Sequence, residues 1–194
     1  NLSADEVAAW QDNLRYFVKL VSYQSPGKPV VLKSPPHLGR IKYLAAAFPG
    51  AKFIHITRSP YSLFPSTVRL WQSLDYIQGF NKPRYDLTWL HEYIVNTMET
   101  LYQGFERQRL EVAQDSIIDV RYEDLVQDPE QLIRTIYGEL QLGDFQSRIG
   151  KPLAEYLETQ KDYKTNKHEL DSDVHKLITE RCLPLLEKYG YREE

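Results

Sequence analysis

Arg58 and Ser66 stand eight positions apart in the run Ile54-His55-Ile56-Thr57-Arg58-Ser59-Pro60-Tyr61-Ser62-Leu63-Phe64-Pro65-Ser66. That order puts a guanidinium at a strand end and a hydroxyl on the helix that follows, so both can converge on one anion. Arginine offers a planar fork suited to phosphate, and a helix N-terminus adds backbone N–H groups and partial positive charge. At ~4 Å and an effective dielectric near ~20, one such charge pair is worth about 4 kcal/mol, enough for a single arginine to anchor a phosphate. The alternative is a surface arginine paired with a carboxylate. Two further segments hold polar residues at predicted strand ends, where open parallel sheets collect ligands. These are Lys33-Ser34-Pro35-Pro36-His37 and Arg121-Tyr122-Glu123-Asp124.

The elements that must position these groups follow from periodicity and punctuation. Ser3 and Glu6 form a capping box ahead of a helical repeat, which predicts a helix from Ala4 to about Tyr23. Pro29-Val30-Val31-Leu32 reads as a buried strand bounded by turn residues, and Lys52 to Thr57 as a second. Between them an amphipathic stretch around Ile41 to Phe48 ends at Pro49-Gly50. Pro60 opens a helix to about Leu74, and a long helical pattern covers Asp86 to about Val112. Ser116 to Arg121 is a third strand. Asp128-Pro129 caps a helix bearing Leu132, Ile133, Ile136, Tyr137 and Leu140, and further helices cover about Gln146 to Glu158 and Ser172 to Lys188. Strands alternating with helices over short connections predict an α/β fold, a parallel sheet with helices on both faces, in a single domain over 1–194.

Composition narrows the function classes. The 194 residues carry 24 Lys and Arg against 27 Asp and Glu, a net charge of −3, so no global positive field recruits nucleic acid and any anion site is local. The longest markedly apolar stretch, Tyr43 to Phe48, is far below the ~20 residues that cross a bilayer, so no membrane span is expected. The single cysteine, Cys182, excludes an internal disulfide framework and points to a reducing, cytoplasmic compartment. His91, His168 and His175 lack a metal-ligand partner at short helical spacing, and His55 reads as packed within its strand, so no metal is expected.

Taken together, Lys33-Ser34-Pro35-Pro36-His37-Leu38, Phe48-Pro49-Gly50, Arg58-Ser59-Pro60 with Ser66, and Arg121-Tyr122-Glu123-Asp124-Leu125 with Asp128-Pro129 resemble the sulfotransferase superfamily. The likeness is to its bacterial-type branch with a KSPxH segment, and it extends from about Ser3 to Tyr191. It implies a P-loop-NTPase-like sheet and 3'-phosphoadenosine 5'-phosphosulfate (PAPS) as sulfuryl donor. It maps Arg58 and Ser66 onto the pair holding the donor's 3'-phosphate. It maps Tyr122 onto a tyrosine beside the adenine; a tyrosine packed at a strand end is the alternative. Glu123 and Asp124 have the wrong charge for an anionic donor and read as orienting the turn. Sulfuryl transfer needs a base for the acceptor and a cation for charge on the transferred group and leaving phosphate. His37 and Lys33 suit these tasks; whether His37 is the base or a helix-start residue stays open.

One family feature has no match here: the opening strand and glycine-containing loop that grips the 5'-phosphosulfate. With only three strands predicted, where parallel sheets commonly have ~4–6, the expectation is roughly the C-terminal two thirds of a sulfotransferase. The implied reaction is in-line displacement onto a hydroxyl or amine of a small-molecule, glycan or lipid acceptor, with Trp71 to Trp89 as a candidate acceptor region whose aromatics could equally be core. The competing readings are a non-catalytic module that binds adenosine 3',5'-bisphosphate or scaffolds, and a kinase-like phosphotransferase. The latter is disfavoured because no G-x-x-x-x-G-K-[ST] loop exists.

Overall fold

The capping box forms as the sequence predicts: the Ser3 backbone N–H donates to Glu6 Oε2 at 2.7 Å, and the Glu6 N–H donates to Ser3 Oγ at 3.3 Å. Helix α1 runs from this cap over Ala4–Gln24. The computed structural model describes residues 2–81, 86–163, 165 and 170–191. Its chain order continues with α2 (Ile41–Ala47), β1 (Phe53–Thr57), α3 (Pro60–Gln78), α4 (Leu87–Gln108) and β2 (Ile117–Arg121). It ends with α5 (Tyr122–Gln127), α6 (Pro129–Glu139), α7 (Lys151–Thr159), α8 (Ser172–Arg181) and α9 (Leu183–Tyr189). The class is α/β and mostly helical, with β1 and β2 forming a small parallel sheet. The chain groups into two compact units, one made of residues 1–53 and 101–117, the other of 54–100 and 118–194.

In the first unit, Ile41, Phe105 and Val112 form a small core, flanked by Leu38, Ala45, Phe53 and Ile117. Side chains of α1 reach backbone carbonyls of α2: Gln11 Nε2 donates to Tyr43 O at 2.8 Å and Arg15 Nε to Ala47 O at 3.0 Å. The segment Pro29 to Leu32, expected to be a strand, has no regular structure, and Val31 is 87% exposed. No strand among the described residues pairs with it, and a β-branched run without a ladder partner leaves its backbone groups to solvent. The following Pro35–Arg40 is a short 3₁₀ helix.

The second unit has the larger core. Tyr61 and Phe64 of α3, Leu90, Ile94, Val95 and Met98 of α4, Ile178 of α8, and Cys182, Leu186 and Tyr191 pack together. Burial pushes the Cys182 thiol up to about 11, leaving it neutral and unreactive. Arg181 ties α8 to α4, its Nε and Nη2 donating to Glu99 at 2.9 and 2.6 Å and Nη2 also to Asn96 at 2.7 Å. Val120 of β2 packs on Ile136 and Leu140, the face of α6 that the sequence predicts, and Asp128 caps that helix through the Gln131 N–H at 3.0 Å.

Strand β1 departs from the expected cover on both faces. Its polar residues, His55 and Thr57, are buried, whereas Ile54 and Ile56 are 47% and 52% exposed. The inversion is sustained by partners on β2: His55 Nδ1 lies 2.7 Å from Asp119 Oδ1, and Thr57 Oγ1 donates to Val120 O at 3.3 Å. His55 is thus packed, as its place in the strand predicts.

The chain end returns to this strand through one glycine. Gly190, at φ +67°, ends α9 in the left-handed region, and the Tyr191 N–H donates to Leu186 O at 2.8 Å while the Gly190 N–H reaches Glu187 O. An added Cβ at Gly190 meets nothing within 4 Å, so only the backbone conformation resists substitution. Gly190→Ala is expected to cost about 1 kcal/mol, read as a lowered thermal midpoint.

Candidate functional site

Thr57, at the end of β1, is almost wholly buried, and its hydroxyl lies 2.8 Å from the hydroxyl of Tyr191. The Tyr191 hydroxyl also lies 3.2 Å from Glu123 Oε2, and Glu123 Oε1 accepts the Ser59 backbone N–H at 2.9 Å. This network joins the end of β1, the start of α5 and the C-terminal turn. Glu123 therefore orients the strand-end turn, in keeping with its charge.

The same contacts correct one expectation from the sequence. Part of the N–H set at the start of α3 is already used: the Ser59 N–H is taken by Glu123, Pro60 has none, and the Ser62 N–H bonds to Ser59 O at 3.0 Å. A carboxylate already sits on that helix end, complementing its dipole.

Arg58 supplies the charge. Its Nε donates to Ser62 Oγ at 3.1 Å, and its guanidinium carbon lies 4.7 Å from the centre of the Tyr122 ring, a cation–π arrangement. Its terminal nitrogens make no ion pair or hydrogen bond with the described residues, because the nearby Glu123 is committed to Ser59 and Tyr191. Among the described residues no carboxylate pairs with Arg58. Ser66 lies one helical turn beyond Ser62, on the same face of α3, and is half-buried. Tyr122, the first residue of α5, lies against Arg58 rather than in the core; its phenol is held above the ordinary range, chiefly by the hydrogen bond it shares with Tyr163 and then by burial.

Lys33 and His37 belong to the first unit. Lys33 is exposed. His37 is half-buried on the Pro35–Arg40 turn, its N–H donating to Ser34 O at 3.0 Å and its Nδ1 shut from solvent with no partner. Burial, and then the charge of Arg40, hold its imidazole below the usual histidine range, so it is neutral and proton-accepting at pH 7.

Residues to which the sequence assigns no site role include Ser62, Tyr163, Arg121 and Tyr191. Arg121 stacks on the Tyr191 ring at 4.7 Å, with its Nε buried and unpartnered. No spacing rule links these positions, since Tyr163 lies 41 residues from Tyr122 and Tyr191 134 from Thr57. Lys164 and His168 lie outside the described residues. The described residues hold no group of three or more His, Cys, Asp or Glu placed to bind a metal, and no helix long and apolar enough to cross a membrane.

The described aromatics of the candidate acceptor region are not core. Trp89 is 59% exposed and stacks on Tyr93 at 5.4 Å, and Trp71 meets Tyr93 edge-on at 5.7 Å. A groove of about 540 Å³ in the first unit, between Lys42, Phe48, Phe53 and Glu111, includes none of Lys33, His37, Arg58, Ser66 or Tyr122.

Comparison with known proteins supplies an independent line. A model described as "Sulfotransferase family" matches residues 3–147. Omega-hydroxy-beta-dihydromenaquinone-9 sulfotransferases of Mycobacterium bovis and Mycobacterium tuberculosis are each 38% identical to the chain over 186 residues, covering 96% of the chain and 47% of each relative. The chain thus spans about half the length of the curated relatives it matches. No solved structure matches it.

The strand-end network has a measurable pH signature. Burial pushes the Tyr191 phenol up to about 12, against an ordinary value of 10.0. Its folded pKa is raised, so its contribution to stability is complete below pH 10 and lost as pH rises from 10 toward about 12. Chemical denaturation across this range is expected to show that loss, and Tyr191→Phe is expected to flatten it while lowering stability at neutral pH by about 1 kcal/mol.

Proposed function

The chain belongs to the sulfotransferase family, and from that premise we propose that it is part of an enzyme transferring a sulfuryl group from PAPS to a hydroxyl or amine acceptor. The observation that carries this reading is the state of Arg58. The side chain is aimed by Ser62 and Tyr122, and its terminal nitrogens make no hydrogen bond or ion pair with the described residues. Those nitrogens fit a phosphate monoester bidentately. Ser66, on the face of α3 that carries Ser62, adds a hydroxyl donor, and the Tyr122 ring offers an aromatic surface for a purine.

PAPS, when bound, supplies the sulfuryl group. In an in-line displacement the bond from sulfur to the donor's phosphate oxygen breaks as a bond from sulfur to the acceptor forms, and adenosine 3',5'-bisphosphate leaves. The acceptor's proton goes to His37, which is neutral for the reason given above. Lys33 offers its ammonium to negative charge on the transferred group and leaving phosphate.

We further propose that the strand and loop gripping the 5'-phosphosulfate lie in a part of the protein outside these 194 residues. The exposed apolar side chains Val31, Ile54 and Ile56 support this, since a parallel sheet is ordinarily covered on both faces. For the acceptor, the exposed shelf of Trp71, Trp89 and Tyr93, with the lipid-quinone acceptor named for the relatives, supports an apolar molecule bearing a hydroxyl.

Two measurements on the full-length protein test this. Calorimetry should show binding of adenosine 3',5'-bisphosphate, and Arg58→Ala should weaken it by roughly 100-fold or more; retained affinity in that variant sinks the assignment. In turnover assays with labelled PAPS, kcat/KM should fall on the acid side with a midpoint below 6.5, the side to which burial moves His37. His37→Asn should lower turnover by about 100-fold or more with nucleotide affinity nearly unchanged. Binding with no transfer under any condition would instead identify a non-catalytic nucleotide-binding module.

A further inference from the structure

Tyr163 lies just past α7, 60% exposed, with its hydroxyl 3.0 Å from that of Tyr122. Nothing in the motifs singles it out. Its place is notable because Tyr122 is held from two sides: the guanidinium of Arg58 lies over the ring and the hydroxyl of Tyr163 meets the phenol oxygen. Two phenols joined by one hydrogen bond own two hydroxyl hydrogens. One occupies the bond, and the other remains for an outside acceptor. The pair therefore acts as a single donor whose direction is set by both rings, whichever oxygen donates inward.

An exposed bond of this kind contributes little by itself, since water competes for both oxygens. Its value rises when a ligand displaces that water, because hydrogen bonds in a drier setting are stronger and polarise one another. We propose that Tyr163 is a positioning residue of the nucleotide site, acting through Tyr122: it aims the outward hydroxyl of the pair at a ring nitrogen of the donor's purine. The inference rests on the nucleotide reading above and adds a residue to it.

The test is a double-mutant cycle in the full-length protein, read by calorimetry with adenosine 3',5'-bisphosphate and by carbon-13 NMR of tyrosine Cζ. Tyr163→Phe should weaken nucleotide binding roughly three- to ten-fold, Tyr122→Phe by a similar factor, and the double variant no more than Tyr122→Phe alone. In Tyr163→Phe the Tyr122 resonance should titrate at lower pH than in the wild type, which a merely structural tyrosine elsewhere would not produce. If the wild type binds and Tyr163→Phe binds equally well, or if the two losses multiply, the inference is overturned while the nucleotide reading stands. If the wild type does not bind the nucleotide at all, both are overturned.

Discussion

The carboxylate of Glu123 is the constraint on which the described site depends. It takes the Ser59 N–H at the start of α3 and lies in hydrogen-bond reach of the Tyr191 hydroxyl, which in turn meets Thr57 at the buried end of β1. A partly buried carboxylate is tolerated only with such partners. Its commitment has a second consequence, since this acid, bonded to the N–H of the residue after Arg58, is spent on backbone and phenol. Among the described residues no carboxylate pairs with the guanidinium, a local exception in a protein of net charge −3.

Positioning of Arg58 uses weak contacts in combination. One hydrogen bond to Ser62 fixes its Nε, and the face of Tyr122 carries the guanidinium plane. The cation–π contact restricts the side chain without neutralising it, as a salt bridge would. The C-terminal turn contributes from far along the chain. Gly190 adopts the left-handed conformation that lets Tyr191 fold back, and Arg121 covers the Tyr191 ring from the other strand.

The inverted burial of β1 belongs to the same account. His55 and Thr57 face inward because Asp119, Val120 O and Tyr191 satisfy them, and Ile54 and Ile56 are left outward. Apolar, β-branched side chains half in water forgo most of their burial free energy, about 1.5–3 kcal/mol each when complete. The curated relatives are about twice as long as this chain.

Local signals were legible in the residues themselves. The Ser3 and Glu6 box, the Asp128-Pro129 cap, the proline opening α3 and the apolar face of α6 each act within one or two turns, so type and spacing determine them. The strand-end positions of Arg58 and Tyr122 were legible for the same reason. Pro29 to Leu32 was misread because a β-branched run becomes a strand only where a partner supplies the ladder, and that is not local information. Which acid spends its charge on which donor, that Arg58 meets Ser62 and Tyr122, and that Tyr163 and Tyr191 return from distant positions to hold Tyr122 and Thr57 were decided by tertiary packing alone. Hydrogen bonds across 41 and 134 residues leave no periodicity in the sequence.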